Sequence, residues 1–136
     1  MTNKYTAIIV DDEESARQHL TTLLADYPQI MLIADANNGK DGLKLIDQHQ
    51  PDLIFLDLDM PLMNGFELFS KLKKQPKVFF MTDADESAIK IFEEKKLDYL
   101  LKPITKESLN ECIEKLETTH QALAQPLKNL LDKLKF

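Results

Sequence analysis

The chain has 136 residues, of which 43% are hydrophobic and 29% charged, with a net charge of −6 and one cysteine. This length and composition fit one globular domain and exclude a disordered tail. The acidic balance argues against DNA binding by this segment itself, and no apolar run is long enough for a membrane span or an export signal. The single cysteine cannot form an internal disulfide, so we expect a protein of the reducing cytoplasm.

The first half of the chain alternates between apolar runs and helical patterns. Residues 7–10 form a continuous, largely β-branched run, which predicts a strand buried on both faces. Residues 15–26 carry alanine and leucine at helical spacing, and a second apolar run follows at 30–34. The turn residues at 37–39 then introduce a second helical pattern.

The second half of the chain repeats this alternation. Its apolar runs, each followed by a helical pattern, are 53–56, 78–82 and 99–101. Asp57 follows the first of these runs, Gly65 precedes the third helix, and Thr105 is the predicted N-cap of the last helix. Five alternations of strand and helix predict an α/β fold, a doubly wound five-stranded parallel sheet with helices on both faces.

Polar residues follow four of the predicted strands at the point where each strand ends. They are Asp11, Asp12, Asp57, Thr82 and Lys102. In open parallel sheets the functional site lies off the carboxyl ends of the strands, so we expect these side chains to converge. Each of them alone has an ordinary structural explanation, such as a turn aspartate or a surface lysine. Their shared position at strand ends is what predicts a common site.

The residue types at this edge suit phosphoryl transfer. Three carboxylates held together repel one another, and a hard divalent cation such as Mg²⁺ relieves that repulsion and neutralises an incoming phosphoryl group. Asp57 is then the carboxylate nucleophile that forms an aspartyl phosphate. Lys102 offers a positive charge, and Thr82 offers a hydroxyl donor, to the phosphoryl oxygens.

Four segments carry a resemblance to a known family. They are 9–13, 52–61 together with Gly65, 81–82, and 98–103. With these segments at this spacing, the sequence resembles the receiver domains of bacterial response regulators over about residues 4–118. The resemblance implies a flavodoxin-like sheet with strand order 2-1-3-4-5. The amino-acid sequence around residues 98–103 is most similar to that of receivers that precede LytTR-type DNA-binding domains.

The resemblance also implies roles for the acidic residues. Asp57 would accept the phosphoryl group from a phosphohistidine on a sensor histidine kinase. Asp12 and Asp57 would bind Mg²⁺ directly, with the backbone carbonyl of Asp59 as a third protein ligand and Asp11 acting through water. The domain would catalyse only its own phosphorylation and dephosphorylation, and would not be an enzyme in the ordinary sense.

Further roles that the resemblance implies concern the phosphoryl group and the response to it. Thr82 and Lys102 would clasp the phosphoryl group, and Tyr99 would be an aromatic switch that moves inward with Thr82, unless it is simply a half-buried strand tyrosine. The peptide bond before Pro103 is usually cis in this family. Asp83 stands where the family usually has a small residue.

Two acidic residues are therefore expected to tune the lifetime of the phosphate. Asp83 would repel an incoming phosphoryl group unless it faces solvent, and Asp59 lies at a position that tunes access in this family. We expect residues 1–121 to form the receiver, with 122–136 a C-terminal helical extension or a linker to an output domain. The receiver would regulate that output domain, which we expect to bind DNA, or a partner protein. A homodimer on phosphorylation is also expected.

The dimer surface is left open by the sequence. One candidate is a mixed set of apolar and charged residues around the fourth helix, although a solvated helix face is the default explanation for them. They are Ile89, Ile91, Phe92, Lys95 and Lys96.

Two other functions compete with the receiver interpretation. Asp57 and Asp59, which follow an apolar strand, resemble the nucleophile and the acid-base residue of haloacid-dehalogenase phosphatases. Pro61 and the position of the acidic pair before the nucleophile argue against that enzyme. The other alternative is a pseudo-receiver that serves only protein contacts, with Asp83 blocking the site.

Overall fold

The computed structural model describes residues 5–83 and 85–118, and the chain divides into two units, Met1–Ile104 and Thr105–Phe136. The elements of the first unit are β1 Tyr5–Val10, α1 Glu14–Leu24, β2 Ile30–Ala36, α2 Gly39–His49, β3 Leu53–Asp57, α3 Gly65–Ser70, β4 Lys77–Thr82, α4 Glu86–Glu94 and β5 Asp98–Leu101. Every predicted strand and helix of this unit is present.

The five strands form one parallel sheet in the order β2-β1-β3-β4-β5. Fold class and strand order are therefore as predicted. β2 continues two residues beyond its predicted end because its ladder with β1 pairs Ile9 with Asp35 and Val10 with Ala36. Asp35 is exposed, as an edge strand permits, and this is why an apolar run did not reveal the full length of β2.

The three central strands are buried on both faces. On one face, β1, β3 and β4 contribute to a buried cluster that also contains side chains of α2, α3 and α4. On the other face, Ile9, Phe55 and Phe79 are fully buried as well. α1 contacts β2 and supplies buried Leu20 and Leu24, which lie outside the first cluster. The continuous apolar runs thus mark strands covered on both sides.

Side-chain caps fix where three helices begin. Asn38 accepts the Asp41 N–H at 2.8 Å, and Asp85 accepts the first backbone N–H groups of α4. Asn64 and Glu67 form a reciprocal capping box at α3. Each cap satisfies donors that would otherwise lack partners at a helix start.

Glycine at position 65 brings α3 against the end of β3. A Cβ there would lie 2.7 Å from the backbone oxygen of Asp57 and 3.0 Å from Leu58 Cα. The Gly65 N–H donates to the Leu58 carbonyl at 2.9 Å. The close approach therefore requires the smallest residue, and it fixes the loop that follows Asp57.

The second unit is described only over residues 105–118, where 106–118 are helical. Ser108 N–H donates to Thr105 Oγ1 at 3.1 Å, so the predicted N-cap is confirmed. The predicted boundary between residues 121 and 122, and the extension 122–136, lie outside the described residues. In the described part of the chain, no helix is both long and apolar enough to cross a membrane.

The predicted surface on α4 needs two corrections. Lys95 and Lys96 follow the helix, which ends at Glu94. Phe92 is fully buried in the core cluster, whereas Ile91 is 40% exposed. Helical periodicity turns Phe92 towards the sheet, where it stacks on Phe80 with ring centroids 5.2 Å apart. Phe92 therefore cannot belong to a contact surface on this helix.

Candidate functional site

Asp57 is the last residue of β3, and only 2% of its surface is exposed. The Asp59 N–H donates to its Oδ1 at 3.3 Å. Burial, then the charge of Asp11, raise the pKa of Asp57 from 3.8 to about 7, although Lys102 opposes the shift. A buried carboxylate at a strand end with a raised pKa is characteristic of a functional site.

Asp11 and Asp12 leave β1 beside Asp57. One carboxylate oxygen from each of the three residues lies within 4.8 Å of the others. Asp11 Oδ1 accepts the Glu13 N–H at 2.9 Å. Asp11 Oδ2 is buried, and no hydrogen bond of good geometry reaches it. Such a cluster of carboxylates suits a hard cation with oxygen ligands.

Lys102 follows β5 and faces the acidic cluster. Its Nζ lies 2.8 Å from Asp11 Oδ2 and 3.4 Å from Asp57 Oδ1. The Lys102 ammonium therefore forms an ion pair with the carboxylates of both Asp11 and Asp57. Burial alone would lower the pKa of Lys102, yet the two carboxylates outweigh it and raise the pKa above its ordinary value.

Thr82 ends β4 and is fully buried. Its Oγ1 donates to Asp59 Oδ2 at 3.4 Å, a long bond, and its carbonyl accepts the Lys102 N–H at 2.8 Å. The carboxyl ends of β1, β3, β4 and β5 thus bring together the residues that the sequence placed at strand ends.

The remaining predicted residues lie around this centre. Asp83 is exposed and lines a hollow of about 330 Å³ that also includes Asp11 and Lys102. Tyr99 is half-buried on the other side of β5, where its ring stacks on Phe92 with centroids 5.1 Å apart. The Lys102–Pro103 peptide bond is cis, as expected.

Arg17 is a residue of this site that sequence reasoning missed. From α1 its Nη1 donates to the Asp11 backbone carbonyl at 2.8 Å, and its Nε lies 3.3 Å from Asp35 Oδ2. The sequence feature that could have indicated this role is an arginine six residues after Asp11, in the helix that follows. That spacing alone does not say which group the long side chain meets.

The sequence matches the family described as response regulator receiver domain over residues 7–114. The chain belongs to the response regulator receiver family. Its role is therefore in two-component signalling, and membership leaves the dehalogenase-like alternative without support. The acidic cluster and the parallel sheet are the features of the receiver that the structure presents directly.

Relatives of this receiver are response regulators. It is 43% identical over 134 residues to an uncharacterized response regulatory protein of Vibrio cholerae, covering 96% of this chain and 51% of that protein. It is 38% identical over 111 residues to the transcriptional regulatory protein BtsR of Escherichia coli K12, covering 80% of this chain and 46% of BtsR. The receiver chain thus spans about half the length of the curated relatives it matches.

Solved receiver structures share the fold. The REC domain of AraT from Geobacillus stearothermophilus matches with a TM-score of 0.74 at 29% identity, covering 90% of this chain and 99% of that one. The response regulatory domain of mrkE from Klebsiella pneumoniae matches with a TM-score of 0.72 at 32% identity, covering 86% and 98%. Nearly the whole of each solved domain therefore corresponds to this receiver.

Proposed function

We propose that Asp57 accepts a phosphoryl group from a phosphohistidine of a sensor histidine kinase and that the resulting aspartyl phosphate switches an output. The observation that carries this proposal is the setting of Asp57. Its buried carboxylate lies at a strand end, within 4.8 Å of two further carboxylates and 3.4 Å from a lysine ammonium. That combination supplies a nucleophile, a cation site and a counter-charge for the phosphoryl group.

The cation that suits this donor set is Mg²⁺. We assign its ligands as the side chains of Asp12 and Asp57 and the backbone carbonyl of Asp59, with Asp11 acting through water. The carboxylate oxygens of Asp11, Asp12 and Asp57, clustered within 4.8 Å of one another, and the exposure of Asp12 fit this arrangement. When bound, Mg²⁺ neutralises charge on the phosphoryl oxygens and favours the ionised form of Asp57.

The transfer step is a displacement at phosphorus. A carboxylate oxygen of Asp57 attacks the phosphorus, an O–P bond forms, and the N–P bond of the phosphohistidine breaks with its electron pair returning to the imidazole nitrogen. Lys102 and Thr82 donate to the phosphoryl oxygens as negative charge shifts onto them. Asp57 acts only in its ionised form, which burial and then the charge of Asp11 disfavour, so neutralisation of the acidic cluster by a cation is part of activation.

The response to phosphorylation runs through Thr82 and Tyr99. Before phosphorylation, Thr82 Oγ1 has the long 3.4 Å bond to Asp59, which a phosphoryl oxygen at Asp57 would replace. Movement of Thr82 opens space into which Tyr99 swings, at the expense of its stacking on Phe92. Such a change biases a pre-existing two-state equilibrium of the receiver surface.

Asp59 and Asp83 tune the lifetime of the phosphate in this proposal. Asp59 lies two residues after the acceptor and competes for Thr82, while Asp83 adds negative charge at the rim of the hollow. Asp83 is exposed, and solvent therefore screens its repulsion. This exposure supports a working receiver over a blocked pseudo-receiver.

The output is proposed to be a DNA-binding domain linked to the receiver, with residues 1–121 as the receiver and 122–136 as the connection. The name of BtsR, a transcriptional regulatory protein, and the half-length coverage of the relatives support this proposal. Phosphorylation would then promote a homodimer that binds DNA through the output domain.

Incubation with Mg²⁺ and acetyl phosphate, followed by intact-mass analysis, tests the phosphoacceptor. We expect a mass increase of one phosphoryl group on the parent, located at Asp57 by peptide mapping, and none on Asp57→Asn or in excess EDTA. An unmodified parent in Mg²⁺ and acetyl phosphate, together with no saturable Mg²⁺ binding by NMR at millimolar metal, would refute the proposal and support a pseudo-receiver.

A further inference from the structure

Arg17 connects α1, the turn after β1 and the edge strand β2. Its side chain is only 15% exposed, and its guanidinium has two acceptors on different elements. Nη1 donates to the Asp11 carbonyl at 2.8 Å, and Nε lies 3.3 Å from Asp35 Oδ2. A planar guanidinium can serve two acceptors at once, whereas a lysine ammonium is a single point charge.

The Asp11 backbone is held on both sides. Its N–H donates to the Ala36 carbonyl at 3.0 Å, which continues the sheet, and its carbonyl accepts from Arg17. The next peptide leads directly to Asp12. The Arg17 bond therefore fixes the plane of the Asp11–Asp12 peptide, and with it the direction in which Asp12 leaves the sheet.

We propose that Arg17 is a positioning residue for the cation site, acting through the Asp11 carbonyl and not through the ion pair with Asp35. The Asp35 carboxylate is half exposed, and exposed ion pairs contribute little. The bond to the carbonyl is short, charge-assisted and shielded, so it is the stronger of the two. Groups that orient metal ligands typically change metal affinity by about tenfold or more when removed.

This inference rests on the proposed function, because it concerns the residues assigned to Mg²⁺. It gives Arg17 a role that differs from those of Lys102 and Thr82, since the contacts of Arg17 are with the Asp11 carbonyl and with Asp35. Its guanidinium bonds to the backbone of Asp11, whereas the cluster is formed by the side-chain carboxylates.

Three variants separate the carbonyl bond from the ion pair. Arg17→Met removes both contacts, Arg17→Lys keeps the charge with one donor group, and Asp35→Asn removes the ion pair alone. Mg²⁺ affinity is measured by NMR titration. We expect it to fall about tenfold in Arg17→Met, to recover in part in Arg17→Lys and to change less than about twofold in Asp35→Asn.

A second measurement needs no metal. In EDTA, we expect the backbone amide shifts of Asp12 and Glu13 to move in Arg17→Met and to stay close to the parent in Asp35→Asn. Urea unfolding of each variant shows that the compared proteins are folded. The amide shifts report on the conformation of the turn at Asp11 and Asp12 even if the parent does not bind Mg²⁺. Failure of the parent to bind Mg²⁺ would count against the proposed function alone.

Two results would overturn the inference. One is a folded Arg17→Met that binds Mg²⁺ with the parent's affinity and keeps the parent's amide shifts at Asp12 and Glu13. The other is an equal loss of affinity in Arg17→Met and Asp35→Asn, which would mean that the ion pair, and not the carbonyl bond, orients the turn.

Discussion

Replacement of Asp57 by asparagine should stabilise the metal-free protein above neutral pH. Asparagine keeps the shape of the side chain and removes the charge, which is almost fully buried in the parent. Burial, and then the charge of Asp11, raise the pKa of Asp57 from 3.8 to about 7. Folding therefore disfavours the ionised form of this residue.

The magnitude follows from linkage between proton binding and folding. Below pH 3.8, Asp57 is protonated in both the folded and unfolded states, so its charge has no effect on stability. Between pH 3.8 and about 7, the unfolded chain loses the proton first, and the free energy of unfolding falls by about 1.4 kcal/mol per pH unit. Above that range the loss is constant, at about 4 kcal/mol as an upper bound.

Asparagine recovers only part of this loss. It still buries a polar group. The attraction between Asp57 and Lys102 across 3.4 Å is already contained in the raised pKa of Asp57, so it is not subtracted again. We therefore expect Asp57→Asn to be more stable than the parent by about 2 kcal/mol at pH 8 in EDTA, with this advantage falling as the pH is lowered and lost before pH 4. Millimolar Mg²⁺ should stabilise the parent more than the variant, because only the parent has the buried Asp57 carboxylate whose charge the cation offsets.

Urea unfolding followed by circular dichroism, in EDTA at several pH values from 4 to 8.5, measures this difference. Asp26→Asn is the matched control, because Asp26 is exposed after α1 and its removal should change stability by less than about 0.5 kcal/mol. A variant less stable than the parent at pH 8, or a difference that does not vary with pH, would refute the reasoning.

Three further substitutions test the surroundings of Asp57. Lys102→Met leaves two buried carboxylates without their cation, so we expect urea unfolding in EDTA at pH 8 to show a loss of about 3 kcal/mol. Gly65→Ala places a Cβ 2.7 Å from the Asp57 carbonyl oxygen, so we expect a loss of about 2 kcal/mol and weaker Mg²⁺ binding by NMR titration. Asn64→Ala removes the capping box of α3, with an expected loss of about 1 kcal/mol in urea and unchanged Mg²⁺ affinity.

Each of these expectations has a contradicting outcome. Lys90→Met, on the exposed face of α4, controls for loss of a lysine and should leave stability within about 0.5 kcal/mol. An equal effect of Lys90→Met and Lys102→Met would contradict the ion-pair argument. Parent-like Mg²⁺ binding in Gly65→Ala would contradict the role given to the close approach of α3, and a large loss of affinity in Asn64→Ala would make the cap part of the site.

Much of the fold could be predicted from the sequence, because the patterns that indicate strands and helices are local. The apolar runs at 7–10 and 53–56, and the helical patterns between them, depend on neighbouring residues only. The N-cap at Thr105 was found in the same way, from a residue type immediately before a helical pattern. The edge strand β2 was predicted too short because an exposed residue such as Asp35 breaks the apolar run without ending the ladder.

The candidate site could be predicted from the sequence for a related reason. A parallel sheet brings the carboxyl ends of its strands to one edge, so residues at those ends, such as Asp11, Asp57 and Lys102, converge whatever the details of packing. The direction of the Phe92 side chain was harder to predict from the sequence. Ile91 and Phe92 are adjacent and both apolar, and only contact with the sheet distinguishes the buried residue from the exposed one.

The sequence alone was enough for the fold class, the ends of the strands at the site and the set of residues that meet there, since these follow from local patterns and the geometry of parallel strands. The tertiary structure decided the raised pKa of Asp57, the bond between Thr82 and Asp59, and the contact of Arg17 with the Asp11 carbonyl. These depend on desolvation and on the paths of side chains between elements distant in sequence. No pattern of neighbouring residues encodes such distances, because they arise only when the helices pack on the sheet.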